Sequence, residues 1–196
     1  MKKIIEAPLT VNGFSRPGKE LPEVRGIVIH YLGKAKQTAM EARDYFETLK
    51  GQDAMDAIPD RSASAHYIID QTGEIIRCIP ENEKAYHVGS EVYTDLARKV
   101  FGKYASDPKN ISPNSCSIGI ELAHIDDQGR FTVDTIESAT GLCAYLCRKY
   151  KLDPATQILT HYEVVGWKKC PLLFVTKPAL FEAFKADVKI KMKDEN

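Results

Sequence analysis

The sequence predicts a single α/β domain, in which strands and helices alternate along the chain. Short apolar runs rich in β-branched residues alternate with amphipathic segments of helical period. A chain of 196 residues can bury one sizeable core, and the usual domain size leaves little room for a second. We divide this domain into an N-terminal arm (residues 1–23), a core (24–175) and a closing helix (178–192).

The first strand is predicted over residues 24–31, VRGIVIHY, directly after an arm whose period is broken by glycines and prolines. Its β-branched centre indicates a strand buried on both faces, and His30 stands at its C-terminal end. A helix is predicted over residues 38–50, because Thr38 followed by Glu41 has the spacing of a capping box.

A β-hairpin follows a polar loop that contains proline. The segments AHYIID and EIIRCI flank the turn QTG, in which Gly73 supplies the positive φ that the turn needs. Residues 80–115 are predicted to be mostly loop, with a short helix around 95–104. An irregular stretch of this length is uncommon unless it serves a site, so we interpret it as the rim of a binding groove.

The second half of the chain repeats the alternation. CSIGIELA, residues 116–123, is predicted to be a strand, and residues 133–151 carry the longest helical pattern. The run ILTH is a further apolar segment that ends in a histidine, His161. Residues 178–192 then read as an amphipathic helix that closes the domain.

Charge and hydropathy exclude several classes of partner. Lysines plus arginines number 27 and aspartates plus glutamates number 27, so no net field favours nucleic acid or an anionic membrane. No apolar run approaches the ~20 residues of a membrane span, and the N-terminus reaches Glu6 and Pro8 before a signal-peptide core forms. We expect a monomer made in the cytoplasm without a signal peptide, binding no nucleic acid and no membrane.

The five cysteines are predicted to be free, buried thiols in a reducing compartment. Their number is odd, a chain of this size needs no disulfides, and no CxxC pair is present. Cys143 and Cys147 stand four residues apart on a predicted helix and are best explained as small apolar core residues.

The segment HYEVVGWKKC indicates a metal site. His161 and Cys170 lie on one short segment with Gly166 between them to bend it, and His30 could supply a third ligand. Imidazole and thiolate suit zinc better than calcium, magnesium or manganese, and a catalytic zinc site takes three protein ligands. Structural zinc would need a fourth ligand, and histidines without any metal are the third alternative; the residues alone leave all three open.

Two charged residues could do chemistry beside such a metal. Glu121 lies in a strand of apolar neighbours, so it is either an edge carboxylate facing water or an enclosed one whose pKa is raised by desolvation. An enclosed carboxylate with a raised pKa is suited to proton transfer. Lys168, two residues before Cys170, is either an ordinary loop lysine like Lys169 or a cation that stabilises an oxyanion.

Five segments in order resemble the zinc-dependent N-acetylmuramoyl-L-alanine amidases of type 2. They are IVIHY, SAHYIIDQTGEI, KAYHVG, NSCSIGIEL and LTHYEVVGWKKCP, spread over residues 24–175. That family includes phage lysozyme-like amidases, a bacterial recycling amidase and the peptidoglycan recognition proteins. The resemblance implies a central mixed β-sheet flanked by helices, with a peptidoglycan groove running over the metal.

The resemblance also assigns roles to residues. By it, His30, His161 and Cys170 would hold one catalytic zinc ion, and Glu121 and Lys168 would fall on catalytic positions. Some relatives have Asp at the position of Cys170, and both residue types bind zinc. Some members carry a tyrosine before the hairpin histidine where this chain has alanine, so that tyrosine's contribution would be absent or supplied by Glu121.

Four further residues are candidates for substrate contact. His66 and Tyr67 lie on alternate faces of a hairpin strand, so only one of them can face the groove. His87 precedes Gly89 in a turn expected at the surface, where it either contacts the ligand or is idle. Trp167 either stacks on a sugar ring or fills space in its loop.

The implied activity is hydrolysis of the amide between N-acetylmuramic acid and L-alanine. The alternatives are a non-catalytic peptidoglycan-binding module and a zinc amidase for another substrate. An active chain could be a phage or prophage lysin acting on the cell wall, a cytosolic enzyme recycling soluble muropeptides, or a domain of a longer protein. We favour the lysin, because the excursion over residues 90–115 suits an extended polymer groove.

Overall fold

A mixed six-stranded β-sheet forms the centre of the protein in a computed structural model, which describes residues 2–53, 60–106 and 111–194. The strand order is β1-β4-β3-β5-β2-β6. Strands β3 and β4 pair antiparallel as the predicted hairpin, and the other neighbours pair parallel. The strands are β1 (Ile4–Glu6), β2 (Gly26–Tyr31), β3 (Tyr67–Ile69), β4 (Ile75–Arg77), β5 (Ser117–Leu122) and β6 (Ile158–Thr160). This confirms the predicted α/β class and its mixed sheet.

Helices cover both faces of the sheet. They are α1 (Ala39–Thr48), α2 (Asp95–Phe101), α3 (Lys103–Ser106), α4 (Val133–Tyr150), α5 (Pro154–Gln157), α6 (His161–Val165), α7 (Leu172–Thr176) and α8 (Pro178–Asp194). Short 3₁₀ turns span Leu49–Gly51 and Pro113–Ser115. The capping box of Thr38 and Glu41 forms at the start of α1 as predicted, since each residue's side chain accepts from the other's backbone N–H.

The central strand β2 is buried on both sides. Ile27 and Ile29 belong to the core between the sheet and helices α4 and α8. Val28 faces the opposite way and packs with Tyr93 and Phe101, which belong to α2 and the segment before it. Because neighbouring side chains of β2 enter different cores, the strand is apolar throughout, which is why its sequence shows no alternation.

The register of β2 positions the candidate site. His30 lies beside Glu121 of β5, and Ile29 lies beside Thr160 of β6, so that His161 follows immediately after the last paired position. The carboxyl ends of parallel strands meet at one edge of a sheet, where open α/β sheets bind their ligands. Three of the predicted site residues therefore converge through strand pairing alone.

Two segments differ from their predicted structure. Within the N-terminal arm, Ile4–Glu6 forms β1, which adds to the edge of the sheet by pairing with β4. In the excursion predicted as a groove rim, Phe101 and Tyr104 are buried in the core and support the sheet, whereas Gly89 and Asn114 line an open cleft. Residues 54–59 of the predicted polar loop and residues 107–110 of the excursion lie outside the described residues.

The cysteines agree with a further expectation. All five cysteines are free and buried, as predicted. Among the helices of the described residues, none combines the length and the apolar character that crossing a membrane requires.

Candidate functional site

Three potential metal ligands meet at the carboxyl edge of the sheet. The ligand atoms of His30, His161 and Cys170 lie within 4.8 Å of one another, and all three residues are buried. The Nδ1 atoms of the two histidines are 3.0 Å apart, and Cys170 Sγ lies 3.9 Å from His30 Nδ1. Residues more than a hundred positions apart in sequence thus present two imidazoles and one sulfur to a common point.

Local chain geometry brings His161 and Cys170 together. The predicted loop begins as a helical turn, because Thr160 caps α6 in a capping box with Glu163 and makes His161 the first helical residue. Gly166 ends this helix in the left-handed conformation, with φ 81°, which glycine adopts at little steric cost. The chain then returns until the Cys170 carbonyl accepts a hydrogen bond from the Tyr162 backbone N–H, at 3.0 Å.

The two histidines are ready to bind a metal, whereas the cysteine must first lose a proton. Burial lowers the pKa of His30 well below its usual value and that of His161 to about 3, so both imidazoles are neutral. Burial raises the pKa of the Cys170 thiol to about 12, so a bound cation would have to displace its proton. The Nε2 atom of His161 and Oε2 of Glu121 are buried without a hydrogen-bond partner among the described residues. This donor set fits a metal such as zinc.

A hydrogen-bonded chain fixes the free nitrogen of His30. The Ser117 hydroxyl donates to the Pro113 carbonyl at 2.7 Å, so its oxygen accepts from His87 Nε2–H at 3.2 Å. His87 Nδ1 is then unprotonated and accepts from His30 Nε2–H at 3.0 Å. The remaining nitrogen of His30, Nδ1, therefore carries a lone pair and faces His161 and Cys170. Histidines that bind metals usually have this arrangement, in which a hydrogen bond to one ring nitrogen leaves the other free for the metal.

Glu121 lies beside this centre. Glu121 is partly exposed, but its Oε2 atom is buried. Burial raises the pKa of Glu121 to about 8, although nearby Lys168 acts in the opposite direction. Of the two interpretations of this carboxylate, the structure supports the enclosed one.

An open cleft of about 1310 Å³ lies over the ligands. His30, His161 and Glu121 line it, and so do Trp167 and Lys168, which follow α6 on the β6 side of the sheet. Glu41 lines the cleft from α1, which packs on β3 and β4 on the other side of β2, and Arg61 lies there over the Tyr45 ring of α1. Lys34 and Lys36 also line the cleft. The cleft is therefore large enough for an extended ligand that passes over His30 and His161.

The sequence matches a family model described as N-acetylmuramoyl-L-alanine amidase over residues 20–172. The chain belongs to this amidase family. It is 32% identical over 188 residues to the N-acetylmuramoyl-L-alanine amidase CwlL of Bacillus licheniformis, covering 96% of this chain and 47% of CwlL. It is 34% identical over 184 residues to BlyA of Bacillus subtilis strain 168, covering 94% of this chain and 46% of BlyA. The chain thus spans about half the length of these curated relatives.

Solved structures support the fold of this amidase-family chain. The catalytic domain of XlyA superposes with a TM-score of 0.68 at 23% identity, covering 95% of this chain and 99% of that one. The PlyG catalytic domain gives a TM-score of 0.70 at 18% identity, covering 97% of this chain and 96% of that one.

The structure places two predicted substrate-contact residues of this amidase-family chain away from the cleft. His66 is fully buried: its Nδ1 accepts from the Gly119 backbone N–H at 3.0 Å, and its Nε2–H donates to the Glu83 carbonyl at 2.9 Å. Tyr67 is fully buried on the other face of the strand and donates to Glu81 at 2.5 Å. The alternation of side chains along a strand predicted that one of these two residues would face the groove. In the structure, both form hydrogen bonds inside the protein instead.

His87 also differs from its expected position. It was predicted in a surface turn, but only 9% of its surface is exposed and its ring bonds to His30, although it still lines the cleft. Asn114 holds this segment, since its Oδ1 accepts from the backbone N–H groups of His87 at 3.0 Å and Val88 at 2.8 Å.

Gly119 is a site residue that sequence reasoning missed. A Cβ atom at this position would lie 2.5 Å from Cγ of His87, so the imidazole packs directly on the backbone of β5. A glycine inside an otherwise apolar strand is the signal that could have revealed such a close approach.

Proposed function

We propose that this chain is a zinc-dependent catalytic domain that hydrolyses the amide between N-acetylmuramic acid and L-alanine in peptidoglycan. The observation that carries the proposal is the convergence of His30, His161 and Cys170 at a place where His30, His161 and Glu121 line an open cleft. Membership of the amidase family and the names of CwlL and BlyA support the same reaction.

His30, His161 and Cys170 would hold the zinc ion, through Nδ1, Nδ1 and Sγ. Zinc bound by three protein ligands supplies a Lewis acid that lowers the pKa of a bound water towards ~7. The closed, structural alternative needs a fourth tight ligand, and the ligand cluster found among the described residues has three members.

Glu121 would move the proton in this reaction. Its carboxylate accepts a proton from the attacking water, whose oxygen forms a bond to the carbonyl carbon of the lactyl group. The same carboxyl then donates that proton to the amide nitrogen as the carbon–nitrogen bond breaks. The products are a muramic acid carboxylate and a stem peptide with a free L-alanine amine.

Lys168 would stabilise the oxyanion that develops during attack. Its side chain lines the cleft and acts electrostatically on His161, Glu121 and Cys170. Lys168→Ala should reduce kcat by up to ~10²-fold, at the lower end of the effect of removing such a donor because this lysine is exposed.

Lys169→Ala provides the matched control for that variant. Lys169 is also exposed but is not among the described residues that line the cleft. Steady-state hydrolysis of a muropeptide by both variants checks the assignment. Equal losses in the two variants would show that general positive charge, and not the position of Lys168, matters.

His87 is proposed as a positioning residue for the metal ligand His30. Gly119→Ala should push the His87 ring off β5 and lower zinc affinity ~10–100-fold, as loss of a second-layer partner does elsewhere. Competition with a chromogenic chelator measures that affinity without any activity assay. Gly13→Ala is the control, because nothing lies within 4 Å of its added methyl group; unchanged affinity in a folded Gly119→Ala protein would remove His87 from this role.

Mass spectrometry of digested cell wall tests the proposed function. Incubation of purified protein with sacculi should release stem peptides that begin with L-alanine and leave uncut glycan. New reducing sugar ends, or binding to sacculi without release, would contradict the amidase reaction, and the second outcome would favour the non-catalytic binding module. The same assay on soluble anhydro-muropeptides compares a lysin with a recycling enzyme.

A further inference from the structure

We propose that Trp167 forms an aromatic platform for the glycan strand, so that the chain prefers muramoyl peptides attached to polymeric glycan over those on a single sugar. This inference rests on the proposed function and adds the orientation and the class of substrate. It follows from the unequal chemistry of the two ends of the cleft.

Trp167 is exposed in an unusual way for a large apolar side chain. Its exposed fraction is 66%, yet its ring is held, since Nε1–H donates to Ser90 Oγ at 3.3 Å. An indole has an apolar face and one polar edge. With the polar edge bonded to Ser90, the apolar face is left free at the side of the cleft.

Hydrogen bonds hold the chain segments that surround Trp167 in place. Thr94 ties the segment before α2 to the end of α6, because its backbone N–H donates to the Val164 carbonyl at 3.0 Å and its hydroxyl donates to the Glu163 carbonyl at 2.5 Å. The platform therefore belongs to packed structure and needs little ordering when a ligand binds.

The opposite end of the cleft is charged. Glu41 and Arg61 line it beside α1, across β2 from α6 and Trp167, and the ring of Tyr45 lies under the Arg61 guanidinium at 5.7 Å. The two parts of the substrate that the scissile amide joins also differ in charge. The stem peptide carries carboxylates and an amino group, whereas the glycan is neutral and its pyranose rings have apolar C–H faces.

Matching these chemistries orients the substrate. The peptide lies along the charged end, the amide passes over His30 and His161, and the glycan leaves across Trp167. The C–H groups of a pyranose face carry slight positive charge and are attracted to the negative face of an indole ring. Trp167 therefore contacts the sugars next to the muramic acid that carries the amide. A substrate with a single sugar lacks these neighbours and gains no binding from Trp167.

Intrinsic fluorescence tests the platform without catalysis, because the chain contains a single tryptophan. The probe is a peptide-free oligomer of N-acetylglucosamine, and the comparison is a sugar-free stem tripeptide at equal millimolar concentration. We expect a saturable change in Trp167 emission with the sugar oligomer alone, in zinc-loaded and chelator-treated protein. No change with the oligomer, or an equal change with the peptide, would overturn the platform.

Kinetics on two substrates provide the second test. Trp167→Ala should lower kcat/KM about tenfold on muramoyl peptides within a glycan chain and leave kcat/KM on the single-sugar muramoyl peptide within twofold. Trp167→Phe keeps an aromatic ring and should retain most activity on the polymer, and Tyr162→Ala controls for loss of an exposed aromatic group on the same segment, 38% exposed.

The outcomes separate this inference from the proposed function. Equal loss on both substrates, or no loss on the polymer, would contradict the platform even if hydrolysis occurs as proposed. If the unmodified protein cleaves neither substrate, the amidase proposal fails, while the fluorescence titration still decides whether Trp167 binds glycan.

Discussion

Glu121→Gln is expected to slow hydrolysis of muropeptides ~10²–10⁴-fold, the usual contribution of a positioned general acid and base. Glutamine keeps the shape of the side chain but can neither accept the proton of the attacking water nor return it to the leaving nitrogen. The substitution leaves His30, His161 and Cys170 untouched, so zinc content should stay at one ion per chain. Release of L-alanine-terminated peptides, followed by mass spectrometry beside metal analysis, measures both quantities.

Two comparisons sharpen this prediction. Glu121→Asp retains a carboxylate but withdraws it by one methylene, so it should keep more activity than the glutamine variant.

Because burial raises the pKa of Glu121 and only the ionised form accepts a proton, hydrolysis should fall as the pH decreases through that pKa. A glutamine variant that is fully loaded with zinc and within a few-fold of the unmodified rate would remove Glu121 from the mechanism.

Cys170→Ala is expected to abolish both zinc retention and hydrolysis. The variant keeps two neutral imidazoles but loses the thiolate, whose negative charge partly compensates the charge of the zinc ion. After dialysis against a weak chelator, metal analysis should find far less than one zinc ion per chain, and wall digestion should fall to the background rate. Cys170→Asp should recover part of both, since a carboxylate oxygen also binds zinc.

Cys147→Ala is the matched control for the cysteine variant. Cys147 is fully buried in α4 on the far side of the sheet from the cleft, so its replacement should lower stability while zinc content and hydrolysis are kept. If Cys170→Ala retained zinc and activity as Cys147→Ala does, the sulfur would have no part in the site.

The sequence was sufficient for elements whose signals are local. The β-branched run around Ile29 predicted β2, and the pairing of Thr38 with Glu41 predicted the start of α1. The clustering of His30 with His161 could also be predicted, because each stands at the end of an apolar run and strand ends converge in a sheet. These inferences depend on periodicity and on short spacings, which one chain displays directly.

The failures concern contacts between distant segments. Strand β1 is three residues long and is stabilised by its pairing with β4, about 70 residues away, so the arm carried no local signal. His87 was expected at the surface because KAYHVG resembles a turn, whereas its ring is held by His30, 57 residues away in sequence, and by the space that Gly119 leaves. His66 sits beside the same glycine, and its two backbone partners also come from other segments.

Diffraction data recorded on both sides of the zinc absorption edge test the central claim most directly. Crystals of zinc-loaded, active protein should give one strong anomalous peak bonded to Nδ1 of His30, Nδ1 of His161 and Sγ of Cys170. Its fourth position should face the cleft beside Glu121. An active preparation without a peak at this place, or a peak whose coordination is completed by a fourth protein side chain, would contradict the account.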